Sequence, residues 1–327
     1  MRSRVVLIVL AGAVLWPAAA SAAGPNRWLE RRVLTIAHQG GEDENPSNTM
    51  YAFRRAVRDG ADMLELDVGV SRDGEVVVTH DTSVDRTTNG TGLVSGKTLR
   101  ALRRLDAAHW FSGGADAYRR GRPRAAYRFR GVATGERRPP KGARRSDFRI
   151  PTLREVLRAF PDTPINVEIK GRTKAEEPEE YVRNAEVLAP LLRRAGRTDV
   201  IVVSFQQRAV DRFHELAPAV PVAPGIDGTA SWLLAGGSPG AGVVAFQLPI
   251  TFTQGEQTLS ITTPENVARA HREGYAWHTW LSDDGERPAT WRRLIAWCVD
   301  GVMTARPRAF ERVLEASGPP ASCGSPS

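Results

Sequence analysis

Eight short apolar runs rich in β-branched residues, with helical stretches between them, limit the folds open to this 327-residue chain more than any other feature. They cover residues 33–37, 63–68, 165–169, 200–204, 220–223, 243–248, 275–281 and 302–304. Runs of this composition read as β-strands. Between them, residues 49–58 place Met50, Phe53 and Val57 on one helical face. Residues 178–194 and 264–273 each open on a proline, which the first turn of a helix tolerates, and residues 307–316 close the series. Strands alternating with helices eight times over predict an α/β fold, a (β/α)8 TIM barrel. A doubly wound open sheet would also alternate, but it usually shows a glycine-rich first turn, which this sequence lacks.

Two segments break the alternation. Residues 75–79 read as an extra strand after the turn Arg72-Asp73-Gly74. Residues 106–149, rich in Arg, Gly, Pro and aromatics, form an insertion between the second and third barrel strands. It is expected on the C-terminal face of the barrel, where long loops are usually functional. Residues 119–149 carry twelve Lys or Arg against Glu136 and Asp147. Such a segment is either a solvated excursion or a device that steers anionic substrates or lipid headgroups. Its partners would then include a membrane surface. No recognition or stacking motif accompanies the charge, so no nucleic acid is expected.

Residues 1–22 read as a secretory signal: Arg2 and Arg4, a short apolar core, then Ala20-Ser21-Ala22 before the cleavage point. Taking the two leader arginines off the chain's net charge of +8 leaves +6. A secreted or extracytoplasmic location is therefore expected. The globular part is expected to span residues 23–317, with residues 318–327 as a Gly/Pro/Ser-rich tail. Cys298 and Cys323 are the two cysteines, and an oxidising compartment would permit a bridge pinning that tail.

Chemistry collects at strand ends. His38 ends the first strand, Glu65 and Asp67 the second, and Glu168 and Lys170 the third, while His80 follows the extra strand. In a barrel these ends share one face. Carboxylates at i and i+2 of a strand point the same way, as Glu65 and Asp67 do, and can share a divalent metal. Burying unpaired charge is costly, so three carboxylates on apolar strands need a hard cation or a salt-bridge network such as Lys170 would supply. Oxygen-only ligands favour Ca²⁺ or Mg²⁺ over structural zinc. Two histidines beside a metal suit phosphodiester hydrolysis. The other histidines, His109, His214, His271 and His278, read as structural or solvated.

The order of these strings resembles the glycerophosphodiester phosphodiesterase family, which shares its barrel with phosphatidylinositol-specific phospholipase C. The resemblance rests on Ala37-His38-Gln39-Gly40-Gly41, Pro46-Ser47-Asn48-Thr49, Leu64-Glu65-Leu66-Asp67-Val68, His80-Asp81, Asp85-Arg86-Thr87-Thr88, Glu168-Ile169-Lys170, Trp280 and Asp300-Gly301-Val302-Met303-Thr304. It implies Glu65, Asp67 and Glu168 as metal ligands and His38 and His80 as the catalytic base and acid pair. It implies contact with a small-molecule phosphodiester through Lys170, Trp280 and residue 39. Two positions depart from the family pattern. Gln39 stands where an arginine usually contacts phosphate, and Ser47 stands where a glutamate is usual; glutamine lacks arginine's charge and bidentate fork. The implied reaction is metal-dependent hydrolysis of a glycerophosphodiester to glycerol 3-phosphate and an alcohol. The alternatives are a phospholipase D-like or lysophospholipase D-like hydrolase acting on intact lipids, and a binding protein with a vestigial site. Exposed Trp110, Phe111, Tyr118, Tyr127 and Phe129 around the mouth would favour action on lipids. Deleting residues 119–145 is then expected to alter substrate preference more than barrel stability.

Overall fold

A computed structural model describes residues 26–29, 33–172, 179–282 and 285–318. The expected leader, Pro178 and Cys323 lie outside them. Seven parallel strands make the barrel wall: β1 (Leu34–Ala37), β2 (Met63–Val70), β4 (Ile165–Ile169), β5 (Val200–Val203), β6 (Ala245–Pro249), β9 (Ala276–Trp280) and β10 (Gly301–Thr304). They lie side by side in the order β5-β4-β2-β1-β10-β9-β6. The short strand β3 (Val76–Val78) pairs antiparallel to the end of β2.

The fifth barrel position is filled by the expected run 220–223, but as single parallel bridges, Val202 to Val222 and Val222 to Val243. The reason is local. Pro221 and Pro224 flank the contact and have no N–H to give a ladder. The backbone still joins the sheet's two edges, with Val202 N–H donating to Pro221 O (3.0 Å) and Val244 N–H to Val222 O (3.0 Å). The result is the eight-position parallel barrel that the alternation implies.

Helices coat the outside. In α1 (Met50–Arg58), Met50, Ala52, Phe53 and Ala56 are buried against the strands, and Thr49 caps the first turn by accepting from Ala52 N–H. α3 (Leu153–Ala159) starts on a capping box between Thr152 and Glu155. α4 (Glu180–Ala195), α5 (Gln207–Leu216) and α6 (Ile226–Ala235) follow β4, β5 and the fifth position. α7 (Pro264–Arg272), α8 (Pro288–Ala296) and α9 (Pro307–Ser317) each carry proline in the first turn. The barrel lumen is filled from below by Leu34, Ile36, Met63, Ile201, Ala245 and Ala276, with Trp28 packed on it. No helix among the described residues is long and apolar enough to cross a membrane.

Two features were not expected. A hairpin, β7 (Thr251–Gln254) and β8 (Gln257–Ser260), leaves the C-terminal end of β6. The five aromatics of the 106–149 segment do not stand free at the mouth. Phe111, Tyr118, Tyr127 and Phe129 are buried and Trp110 is half-buried. After the single-turn helix α2 (Leu99–Leu102), the segment holds only short helical turns, at Arg124–Ala126 and Arg145–Phe148, so its aromatics must supply its core themselves. Phe129 packs on Tyr51 of α1 (5.1 Å), on Phe148 (5.3 Å) and on Phe111 (5.8 Å). Arg130 lies over Tyr127 (3.8 Å) and Trp110 (4.4 Å), a cation–π cover.

Candidate active site

β2 and β4 set the centre of the site by their register. Asp67 pairs with Glu168 across the parallel ladder, and Glu65 lies two residues before Asp67 on the same inward face. One carboxylate oxygen from each of Glu65, Asp67 and Glu168 lies within 4.8 Å of the others. Lys170 folds back into this cluster, its Nζ 2.6 Å from Glu168 Oε1 and 3.2 Å from Asp67 Oδ1. Asn48 holds Asp67 from the other side, its Nδ2 donating to Asp67 Oδ2 at 2.8 Å.

The turn after β1 delivers the first histidine. Gln39, Gly40 and Gly41 all have positive φ (51°, 82° and 84°). A Cβ on Gly40 would come within 2.7 Å of Ala52 Cβ, and one on Gly41 within 2.8 Å of Pro307, so both positions need glycine for conformation and for space. The tight turn aims Gln39 N–H at Glu65 Oε2 (2.8 Å) and sets His38 Nε2 3.8 Å from the same oxygen. It also returns Glu42 to His38, Oε1 to Nδ1 at 2.6 Å. His80 has the same kind of partner: its Nδ1 lies 2.7 Å from Asp81 Oδ1, and Arg86 Nε clamps Asp81 Oδ2 at 2.6 Å.

The electrostatics follow from burial and crowding. Burial, then Asp67 and Glu168, push Glu65 up to about 8. Burial also raises Glu168. Burial would raise Asp67 too, but Lys170 and the two histidines outweigh it and hold Asp67 below its ordinary value. Burial opposes charge on His38, yet Glu42 and Glu65 prevail and carry it up to about 10. Asp81 is lowered, its burial outweighed by the hydrogen bonds from His80 and Arg86. Two buried carboxylates and a half-buried third facing one another, with Asp67 Oδ1 making no hydrogen bond beyond its ion pair with Lys170, fit a hard divalent cation, which would relieve their repulsion.

Beyond the acids, Trp280 ends β9 and meets Phe205 edge-on at 6.3 Å, and Lys170 Nζ lies 5.7 Å over the Phe205 ring. Gln39 is buried at the edge of the cluster. The other histidines fall elsewhere: His271 pairs with Asp300 (2.7 Å), His109 lies beside Asp106 (3.7 Å) and His278 is sealed in the lumen. Sequence reasoning missed Glu42, and it gave Asn48, Asp81, Arg86 and Phe205 no role. For Asp81 and Arg86 a signal existed, a carboxylate next to a site histidine and a basic residue five positions on. Glu42 and Asn48 depend on left-handed turns whose path the sequence does not spell out.

A parallel barrel with an acid triad and two buttressed histidines at its C-terminal mouth is the arrangement of a barrel phosphodiesterase. Residues 38–309 match the glycerophosphoryl diester phosphodiesterase family, and the chain belongs to it. It is 37% identical to YhdW of Bacillus subtilis over 189 residues, 58% of this chain and 63% of that one. It is 28% identical to the glycerophosphodiester phosphodiesterase of the same organism over 286 residues, 86% of each chain. Its fold matches that of an Oleispira antarctica phosphodiesterase solved with sn-glycerol-3-phosphate (TM-score 0.62, 19% identity, covering 87% of this chain and 97% of that one).

Proposed function

We propose that the protein hydrolyses glycerophosphodiesters to glycerol 3-phosphate and an alcohol, using Ca²⁺ or Mg²⁺ held by Glu65, Asp67 and Glu168. The observation that carries this reading is the triad itself, three carboxylate oxygens within 4.8 Å with His38 Nε2 3.8 Å from one of them. The cation would supply charge neutralisation at the phosphate and a lowered pKa for the attacking hydroxyl. The chain's own groups do the rest. Lys170 adds a positive charge beside the bound phosphate, a role that trades its contact with Glu168 for one with substrate. One of His38 and His80 takes the proton of the attacking hydroxyl, and the other protonates the leaving alkoxide. Glu42 and Asp81 hold the two Nδ1 atoms, which leaves Nε2 of each ring for that work. Trp280 and Phe205 offer an apolar wall to the organic part of the substrate. The leader at residues 1–22 supports export of the protein, which N-terminal sequencing of material from the medium would test.

The experiment is a panel of glycerophosphocholine, glycerophosphoethanolamine and lysolipids, assayed with and without chelator and with product analysis. Chelation should abolish release of glycerol 3-phosphate, and either metal should restore it. A cyclic phosphate among the products would identify the substrate's own hydroxyl as the attacker. Full turnover after exhaustive chelation, with no metal in the protein, would overturn the metal assignment.

A further inference from the structure

Four of the six strongly exposed large apolar side chains among the described residues stand on one arc of the barrel mouth: Phe205, Ile226, Phe252 and Leu259. Phe205 follows β5, and Ile226 opens α6 with its N–H on Phe205 O (3.1 Å). Phe252 and Leu259 face each other across the β7–β8 hairpin, just beyond β6. All four leave the C-terminal ends of neighbouring barrel strands, the face that carries the acid triad. Thr251, Thr253, Thr258 and Ser260, on the other side of the hairpin, are exposed as well. A two-stranded ribbon bare on both sides is marginal by itself, and clustered exposed apolar groups mark a binding surface.

The opposite arc of the same face is cationic. The 106–149 segment docks on the loop that follows β1, through Gly114 N–H to Asp43 O (2.8 Å), Arg128 Nη2 to Glu44 O (3.1 Å) and Ser47 N–H to Tyr118 Oη (2.7 Å). From there it exposes Arg119, Arg120, Arg122, Arg124 and Arg128 to solvent. The site lies between the apolar arc and this one. An acidic polymer in solution would engage the arginines and leave the apolar arc unexplained. A bilayer of anionic phospholipid satisfies both, with the apolar side chains at the acyl boundary and the guanidinium groups among the phosphates.

We propose that the open end of the barrel docks on the surface of an anionic phospholipid bilayer, the hairpin entering the interface and the arginine-rich segment binding headgroup phosphates. That this docking presents phosphodiesters to the triad rests on the function proposed above; the docking itself does not. The full chain should co-sediment with 1:1 phosphatidylglycerol–phosphatidylcholine vesicles at least tenfold more than with pure phosphatidylcholine. The Phe252→Ser/Leu259→Ser variant and the Arg122→Glu/Arg124→Glu variant should each bind the mixed vesicles at least fivefold more weakly. An environment-sensitive dye on Thr253→Cys should shift to the blue on those vesicles, a local reading that the N-terminal segment does not supply. Hydrolysis of water-soluble glycerophosphoglycerol by the hairpin variant should equal that of the parent, since the two replaced side chains are exposed and belong neither to the acid triad nor to the histidines' contacts. Unchanged vesicle binding in both variants, no dye shift, or binding to soluble polyphosphate in preference to vesicles would each overturn the docking. Absence of soluble-substrate turnover in the parent would instead count against the proposed function and leave the vesicle result intact.

Discussion

Nδ1 of His38 lies 2.6 Å from Oε1 of Glu42, four residues further along in a turn that is not helical. Three consecutive positive φ angles bring the carboxylate back onto the ring. Carboxylates placed this way fix a histidine's tautomer and orientation, and losing one commonly costs roughly 10–100-fold. Glu42 is thus a positioning residue for His38. Glu42→Ala should lower kcat by about that factor with KM little changed, while Glu42→Gln, which keeps an acceptor, should retain more of it. Steady-state kinetics on one soluble diester check this, and equal kcat for all three proteins would remove Glu42 from the mechanism.

The acid triad should make metal-free stability depend on pH. An unfolded glutamate ionises near 4.5, whereas Glu65 in the fold keeps its proton up to about 8, chiefly because it is buried and then because Asp67 and Glu168 are near. Between those values the unfolded chain releases a proton that the folded chain holds, so stability falls as pH rises. With chelator present, Tm should drop from pH 6.5 to 8, and Glu65→Gln should flatten that drop. Millimolar Ca²⁺ or Mg²⁺ should raise Tm most at the upper end, because a ligand that binds only the folded state stabilises it. Calorimetry across this range is the measurement, and identical slopes for parent and variant would contradict it.

His278 produces the opposite slope at lower pH. Its ring is buried in the lumen, neither nitrogen has a hydrogen-bond partner, and burial holds it down to about 4 against the weaker pull of Asp300. As pH falls from 6.5 to 4 the unfolded chain takes up a proton that the fold refuses, and stability is lost over that window. A displacement from the ordinary 6.5 to about 4 corresponds to on the order of 3 kcal/mol. His278→Leu should be less sensitive to acid than the parent, as denaturant titrations at pH 6.5 and 4 would show.

How legible all this was in the sequence depends on the kind of residue. The strands could be read because both faces of a barrel strand are covered, so Ile165–Ile169 and Val200–Val203 show as apolar runs. Glu65, Asp67 and Glu168 could be read because charges interrupt those runs, and the resemblance to a family agreed. The hairpin was missed because Thr251–Gln254 and Gln257–Ser260 each carry a single apolar residue, so no apolar run marks them. The aromatics of residues 106–149 were placed wrongly because composition does not tell whether rings face solvent or one another. Glu42 was missed because its partner is set by backbone angles.

Gln39 occupies a left-handed position with its N–H on Glu65, an arrangement that arginine can adopt at no greater backbone cost. Gln39→Arg would add a guanidinium beside the phosphate. A charged hydrogen bond of that kind is worth roughly 1.5–3 kcal/mol. KM for a soluble diester should fall by about tenfold or more, or the ranking of headgroups should change. Unchanged constants over the whole panel would mean that residue 39 does not reach the phosphate.

The 106–149 segment should matter to stability more than its composition suggests. Phe129 is buried among Tyr51, Phe111 and Phe148, and emptying an aromatic site of that kind costs roughly 3–5 kcal/mol. Phe129→Ala should therefore lower Tm measurably, and deleting residues 119–145 should lower it further by baring Tyr51 and Phe148, contrary to the expectation that deletion chiefly alters specificity. The damage should also reach the site. Tyr118 Oη accepts from Ser47 N–H, and Arg86 lies 5.1 Å over the Tyr118 ring while clamping the Asp81 that holds His80. Loosening this chain should reduce kcat more than it raises KM, because His80 loses its orientation while the acid triad, held by β2 and β4, does not move. Charge reversals at exposed Arg122 and Arg124 serve as the comparison and should leave Tm near the parent value, since isolated surface ion pairs contribute little. Thermal melts and kinetics on these proteins together decide it: a Phe129→Ala variant with parental Tm and kcat would show that the aromatic cluster supports neither the barrel nor His80.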